Sequence, residues 1–227
     1  MSRVCLVTGA NRGIGLEIAR QLSRSGDTVV LAARDLGKAE KAAAGLPGAV
    51  PMRLDVGDQA SVDALAREVG DRLGRLDVLV NNAAIHYDTW QRADGADLDV
   101  VREALDTNLL GAWRVTLAML PLLRASRHGR VANVSSEIGS LTGMGGGTPA
   151  YTVSKTALNA LTRMLAAELR RDRILVNAVC PGWVATDMGG PGGRPVAEGA
   201  GSVLWAVDLP DGGPTGGFFR DGRPLPW

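Results

Sequence analysis

Short apolar runs rich in β-branched residues alternate along this chain with longer stretches whose apolar residues return every three or four positions. The runs at 3–8, 28–33, 49–54, 77–81, 130–135 and 173–179, with a further short one near Gly217 to Phe219, predict strands apolar enough to be buried on both sides. The stretches at 13–25, 36–45, 58–73, 97–123 and 149–170 predict helices. Ile14, Ile18 and Leu22 form one such stripe; Leu158, Leu161 and Leu165 form another. This alternation specifies an α/β fold: an open, mostly parallel sheet of seven strands with helices on both faces. No linker divides residues 1–227, so one domain is expected. The glycine- and proline-rich MGGPGGRP that opens at Met188 predicts an exposed, mobile segment over 188–206, a candidate lid.

Composition narrows the class of protein. A chain of 227 residues buries roughly 70% or more of its extended surface, enough for a large core. The 25 basic and 24 acidic residues nearly cancel and form no block of one sign, which argues against nucleic acid or an anionic membrane as partner. A small molecule is the expected partner. Cys5 and Cys180 are the only cysteines, with no CxxC and no zinc-ligand spacing, so neither a disulfide framework nor a metal site is suggested. The apolar start MSRVCLVTGA is too short for a signal peptide, and no run of about 20 apolar residues predicts a membrane span. A cytoplasmic protein is expected.

The first chemistry lies in TGANRGIG, residues 8 to 15, between the first strand and the first helix. In that context Gly9 permits a tight turn, Gly13 lets backbone approach a pyrophosphate, and Gly15 lets helix and strand pack closely. Asn11, Arg12 and Ile14 complete the turn, and the helix N-terminus offers amide donors to an anion. The dinucleotide is read at the end of the second strand, VVLAARD. Ala33 cannot accept from a ribose 2′-hydroxyl, whereas Arg34 and Arg12 can converge on a 2′-phosphate, which favours NADPH. Asp35 is the counterargument, as a carboxylate able to serve an NAD ribose instead.

A second cluster is Tyr151 and Lys155 in AYTVSK. Thr148 as a cap and Pro149 in the first turn start a helix there, so positions i and i+4 share a face. An ammonium beside the phenol favours the phenolate and moves a hydroxyl of pKa about 10 toward the range useful for acid/base chemistry. Without further motifs, such a pair reads as an ordinary solvated helix face.

The further motifs are present. TGANRGIG (8–15), LDV (54–56), NNAA (81–84), TNLLG (107–111), NVSSEIG (133–139), YTVSK (151–155) and CPGWVATDM (180–188) occur in the order of the short-chain dehydrogenase/reductase family, which the whole chain resembles. The tail from CPGWVATDMGGP to GGFFRDGRPLPW is similar to the carbonyl reductase branch. The resemblance implies a Rossmann-type doubly wound fold and reduction of a ketone, aldehyde or quinone with hydride from NADPH and a proton from Tyr151. It also implies that Lys155 binds the nicotinamide ribose, Ser136 polarises the carbonyl and Asn108 holds a water leading from Lys155 to solvent. An insertion in SEIGSLTGMGGGTPAY leaves Ser135 or Ser140 as alternatives to Ser136.

By the same resemblance Asp55 and Val56 meet the adenine, Asn82 and Ala83 flank the ribose, and Pro181, Gly182, Val184 and Thr186 lie over the nicotinamide. His86, Tyr87, Trp90, Met144 and Trp183 fall in loops at the carboxyl ends of strands, the place for an aromatic substrate pocket. Monomers of the carbonyl reductase branch carry a large insertion before the tyrosine that this chain lacks, so a homodimer or homotetramer is expected. Two other functions fit the motifs: an NAD-dependent alcohol dehydrogenase running oxidatively, and an inactive NADP-binding regulatory protein.

Overall fold

The computed structural model describes residues 2–85 and 87–227. The strands are β1 Val4–Thr8, β2 Thr28–Ala33, β3 Ala49–Arg53, β4 Val78–Asn81, β5 Arg130–Val134, β6 Leu175–Val179, β7 Phe218–Arg220 and β8 Arg223–Pro224. They form one sheet in the order β3-β2-β1-β4-β5-β6-β7-β8. All pairings are parallel except the last. The seven-stranded expectation thus becomes eight, because Asp221 and Gly222, at φ 52° and 75°, turn the chain back into a two-residue antiparallel edge.

The helices are α1 Gly13–Arg24, α2 Leu36–Ala43, α3 Gln59–Leu73, α4 Leu98–Ala104, α5 Ala112–Arg124, α6 Pro149–Glu168 and α7 Val196–Val207. Alternate strand residues feed two cores, as a two-residue period requires. Leu6, Val30 and Leu79 pack with Val115, Met119, Leu158 and Leu161 on one face. Val7, Leu31 and Val80 pack with Ile18, Leu22, Val203 and Val207 on the other. Each such side chain, fully buried, contributes about 1.5–3 kcal/mol.

Two stretches differ from the sequence expectation. The long helix at 97–123 is divided: between α4 and α5, residues Leu105–Gly111 form a widened π-helical turn, a feature common at functional sites. The stretch 188–206 is divided too. Its first part is irregular, but α7 buries Ala200, Val203, Ala206 and Val207 against the sheet, so packing fixes the second part.

Between the helices and the centre of the sheet runs a line of buried amides and hydroxyls. Asn81 Nδ2 donates to Thr116 Oγ1 (3.0 Å) and to Asn133 Oδ1 (2.8 Å), and Asn133 Nδ2 donates to Thr162 Oγ1 (2.9 Å). These bonds join β4 and β5 to α5 and α6. The chain leaves β1 for β2 on one side, while β4 lies on the other, and this reversal opens a crevice at the carboxyl ends of the strands.

Candidate active site

The crevice begins at the glycine turn. Gly9 and Gly13 have φ of 64° and 57°, a region in which L side chains are strained. A Cβ on Gly15 would lie 2.4 Å from Asn82 Nδ2 and 2.7 Å from the Gly9 carbonyl, so no larger residue fits there. Asn82 owes its place to β1: its Nδ2 donates to the Thr8 carbonyl at 2.8 Å, and its backbone amide to Thr8 Oγ1 at 3.0 Å.

A cavity of about 580 Å³ runs from this turn along the strand ends. Gly9, Asn11, Arg12, Gly13, Ile14, Gly15, Arg34, Asp55, Val56, Asn82, Ala83, Tyr151, Lys155, Pro181 and Thr186 all line it. Gly182 and Val184 do not. The Val184 side chain is buried against α7, where a Cβ on Gly199 would meet its methyl at 2.6 Å.

One end of the cavity is cationic. Arg12, Arg34 and Lys38 line it, the last a residue the sequence reading missed although it follows Arg34 by four positions. Asp35 sits among them with its carboxylate engaged: it caps α2 by accepting from the Lys38 amide at 3.0 Å. Arg12 reaches across the mouth to Asp187 at 2.6 Å, an exposed pair.

The other end holds the predicted catalytic group. Ser136 follows the end of β5 by two residues, and its hydroxyl is hydrogen-bonded to the Tyr151 phenol. Ser135 is occupied elsewhere, its hydroxyl donating to Asn159 Oδ1 of α6 at 2.6 Å. Ser140 Oγ is buried without a partner among the described residues. Lys155 is 2% exposed; its Nζ donates to the Val134 carbonyl at 2.8 Å and stands 5.4 Å from the Tyr151 ring centroid.

The electrostatics here differ from the sequence expectation. Burial pushes the Tyr151 hydroxyl well above its ordinary value, with smaller upward contributions from Cys180 and Tyr87, while the Ser136 bond pulls it partly back. Burial also lowers the Lys155 ammonium to about 8. Desolvation therefore outweighs the expected acidification by the ammonium, and the phenol is held protonated.

Asn108 lies in the π-helical turn with both of its side-chain donors engaged. Its Oδ1 accepts from the Ile85 amide (2.8 Å), and its Nδ2 donates to the Ile85 carbonyl (3.1 Å) and to Ser154 Oγ (2.9 Å). Ser154 Oγ in turn donates to the Tyr151 carbonyl at 2.8 Å. Geometrically the amide is a brace between the segment after β4 and α6: both Nδ2 hydrogens are committed within the protein, and Oδ1 keeps one lone pair.

The residues expected at the substrate pocket do not all converge on the cavity. Trp90 and Trp183 are 68% and 64% exposed, and Met144 is exposed as well. Trp183 is used inside its own loop, its Nε1 donating to the Gly189 carbonyl at 2.7 Å and its ring lying over Gly192. His86 lies outside the described residues. The aromatic that does reach the site is Tyr87, edge-on to Tyr151 with centroids 5.3 Å apart. Ile85, Thr107 and Met188 line the cavity as well.

A glycine turn under the strand ends, with a tyrosine and a buried lysine at the far end of one cavity and a serine hydrogen-bonded to that tyrosine, defines a dinucleotide-dependent oxidoreductase. The chain belongs to the short-chain dehydrogenase family, whose model, described as short chain dehydrogenase, matches residues 3–194. It is 36% identical to carbonyl reductase (NADPH) 1 of Sus scrofa, over 100% of this chain and 94% of that protein. Among solved structures it is similar to the NADPH-bound carbonyl reductase from chicken fatty liver, with a TM-score of 0.91 and 32% identity, covering 100% of this chain and 99% of that one. Salutaridine reductase from Papaver somniferum gives a TM-score of 0.85 and 31% identity, covering 96% and 99%.

Proposed function

We propose that this protein catalyses the NADPH-dependent reduction of a carbonyl group, in a ketone, aldehyde or quinone, to an alcohol. One observation carries the reading: the Tyr151 phenol, bonded to Ser136 beside the buried Lys155, faces a cavity whose opposite end gathers Arg12, Arg34 and Lys38. The cavity fits the cofactor. Its glycine turn leaves no room for a Cβ at Gly15, and the three cations match a 2′-phosphate. Asp35, the carboxylate that could serve an NAD ribose, has its Oδ1 committed to capping α2.

NADPH, when bound, supplies the hydride. The chain supplies the rest. Ser136 and Tyr151 hydrogen-bond and polarise the carbonyl oxygen, and Tyr151 Oη gives up its proton to it. Lys155, anchored by the Val134 carbonyl, keeps a positive charge beside the phenol and stabilises the phenolate left behind. A phenol held protonated is suited to donating a proton; the oxidative direction would need the phenolate at the start. The resting protein thus already holds its phenol in the form that reduction consumes, and a proton donor poised in this way speaks against an inactive regulatory protein.

In this reading residues 183–195 cover the nicotinamide side as a lid, joined to the glycine turn by the Arg12–Asp187 pair. The outer face of α5 and α6 exposes Leu117 and Met164 beside Trp113, which supports a homo-oligomer built on that face. The two free cysteines fit a cytoplasmic location. Among the described residues no helix is long and apolar enough to cross a membrane, and no cluster of His, Cys, Asp and Glu could hold a metal.

The test is NADPH oxidation followed at the nicotinamide absorbance band with aromatic ketones, quinones and keto esters, using the wild type and Tyr151→Phe. The variant is expected to bind NADPH normally and to lose turnover by about 10²-fold or more. Unchanged turnover in Tyr151→Phe would remove the assigned proton donor.

A further inference from the structure

The first turn of any α-helix carries amides with no acceptor inside the helix. In α6 the residue at the cap position does not supply one. Thr148 has φ 43°, and its hydroxyl pairs with Thr152 Oγ1 at 3.1 Å and not with a backbone amide. The acceptor comes from the loop after β4. Asp88, 0% exposed, takes the Ala150 amide on Oδ2 at 2.9 Å and the Tyr151 amide on Oδ1 at 3.0 Å.

That carboxylate is itself held. Gln91 Nε2 donates to its Oδ2 at 3.2 Å, and Gln91 Oε1 accepts from the Asp97 amide at 2.7 Å, at the start of α4. The neighbouring Tyr87 lays its ring edge-on against the Tyr151 ring, 5.3 Å between centroids and 88° between planes. The loop therefore grips Tyr151 twice, by its backbone amide and by its ring. From the other side, Ser154 Oγ, which accepts from Asn108 Nδ2, donates to the Tyr151 carbonyl.

We infer that Asp88 is a positioning residue for the proton donor: a buried carboxylate that sets where the Tyr151 hydroxyl stands and ties that placement to the loop bordering the substrate. The inference rests on the proposed role of Tyr151. A negative group at the N-terminal end of α6 also matches the positive end of the helix dipole, so one residue fixes both the position and the polarity of that end. Lys155 needs no such help, since the Val134 carbonyl holds its Nζ. The glycine turn shares none of these bonds.

This separation gives the test. In Asp88→Ala, kcat is expected to fall about 30- to 100-fold, the scale of a misplacement of about 1 Å at a reacting group, while the NADPH dissociation constant changes less than about twofold. Asp88→Asn keeps the shape and one acceptor oxygen but points an NH₂ at a backbone amide, so a loss of about tenfold is expected. A cap that served stability alone would lower the melting temperature and leave kcat of the folded fraction unchanged. Folded variants with kcat within about threefold of wild type, or with NADPH binding lost in step with kcat, would overturn the inference. If Asp88→Ala does not fold, Asp88→Asn decides by the same two measurements. Tyr151→Phe is run alongside: if it keeps its turnover, the proposed function fails, whereas a dead Tyr151→Phe with unaffected Asp88 variants sinks only the role of Asp88.

Discussion

Replacing Lys155 with methionine should make the protein more stable and nearly inactive. The ammonium is 2% exposed and has one hydrogen-bond acceptor, the Val134 carbonyl at 2.8 Å. Its pKa is lowered from an ordinary 10.5 to about 8, so the folded state disfavours the charged form. For a cation with a depressed pKa, the destabilisation is complete below about pH 8 and fades as the pH rises toward 10.5. The displacement corresponds to about 3 kcal/mol at neutral pH. Methionine has a similar length and no charge, but it leaves the Val134 carbonyl without its donor, which costs about 1 kcal/mol. The net gain is about 2 kcal/mol, or a rise in Tm of about 4–8 °C for a domain of this size. Thermal unfolding of both proteins at pH 7 and pH 10 measures it, and the difference should shrink at the higher pH. A Lys155→Met variant less stable than wild type at pH 7, or a gap that does not narrow by pH 10, refutes the reasoning.

Two further outcomes are expected. Arg34→Ala should weaken NADPH about tenfold or more and NADH by less than about twofold, measured by direct titration, since only the former carries the dianion that the cationic end faces; equal losses would remove the case for a phosphate clamp. The kcat/KM for NADPH, which reports the free enzyme, should be level below about pH 8 and fall above it as Lys155 loses its proton. Tyr151 stays protonated through that window because burial holds its pKa high, so a limb that persists in Lys155→Met would assign the fall to another group.

The strands and the glycine turn were legible because their causes are local. Runs such as VCLVT and TVVLAA sit in the buried centre of the sheet, and Gly15 answers a close approach within its own turn. The helix α7 was missed because Gly199 and Gly201, behind MGGPGGRP, read as more of a mobile segment. Its buried stripe of Ala200, Val203 and Val207 has helical spacing and would have revealed it. The π-helical turn around Asn108 has no sequence period of its own. Asp88 was unreadable for a different reason: it bonds an amide 62 residues away, and nothing near it in the chain marks it as a cap. Trp183 misled because loop folding, not residue type, decides whether an exposed ring meets the cleft or its own loop.

The bond from the Lys38 amide to Asp35 also bears on how freely this enzyme's coenzyme choice can drift. The single acid placed to welcome the non-phosphorylated dinucleotide is the peg from which the second helix hangs. A mutational path toward NADH that turned this carboxylate outward would fray that helix at its first turn before any new ribose contact had formed. Such a path would need a replacement peg first, so the ancestry of the preference is guarded by foldability as well as by charge.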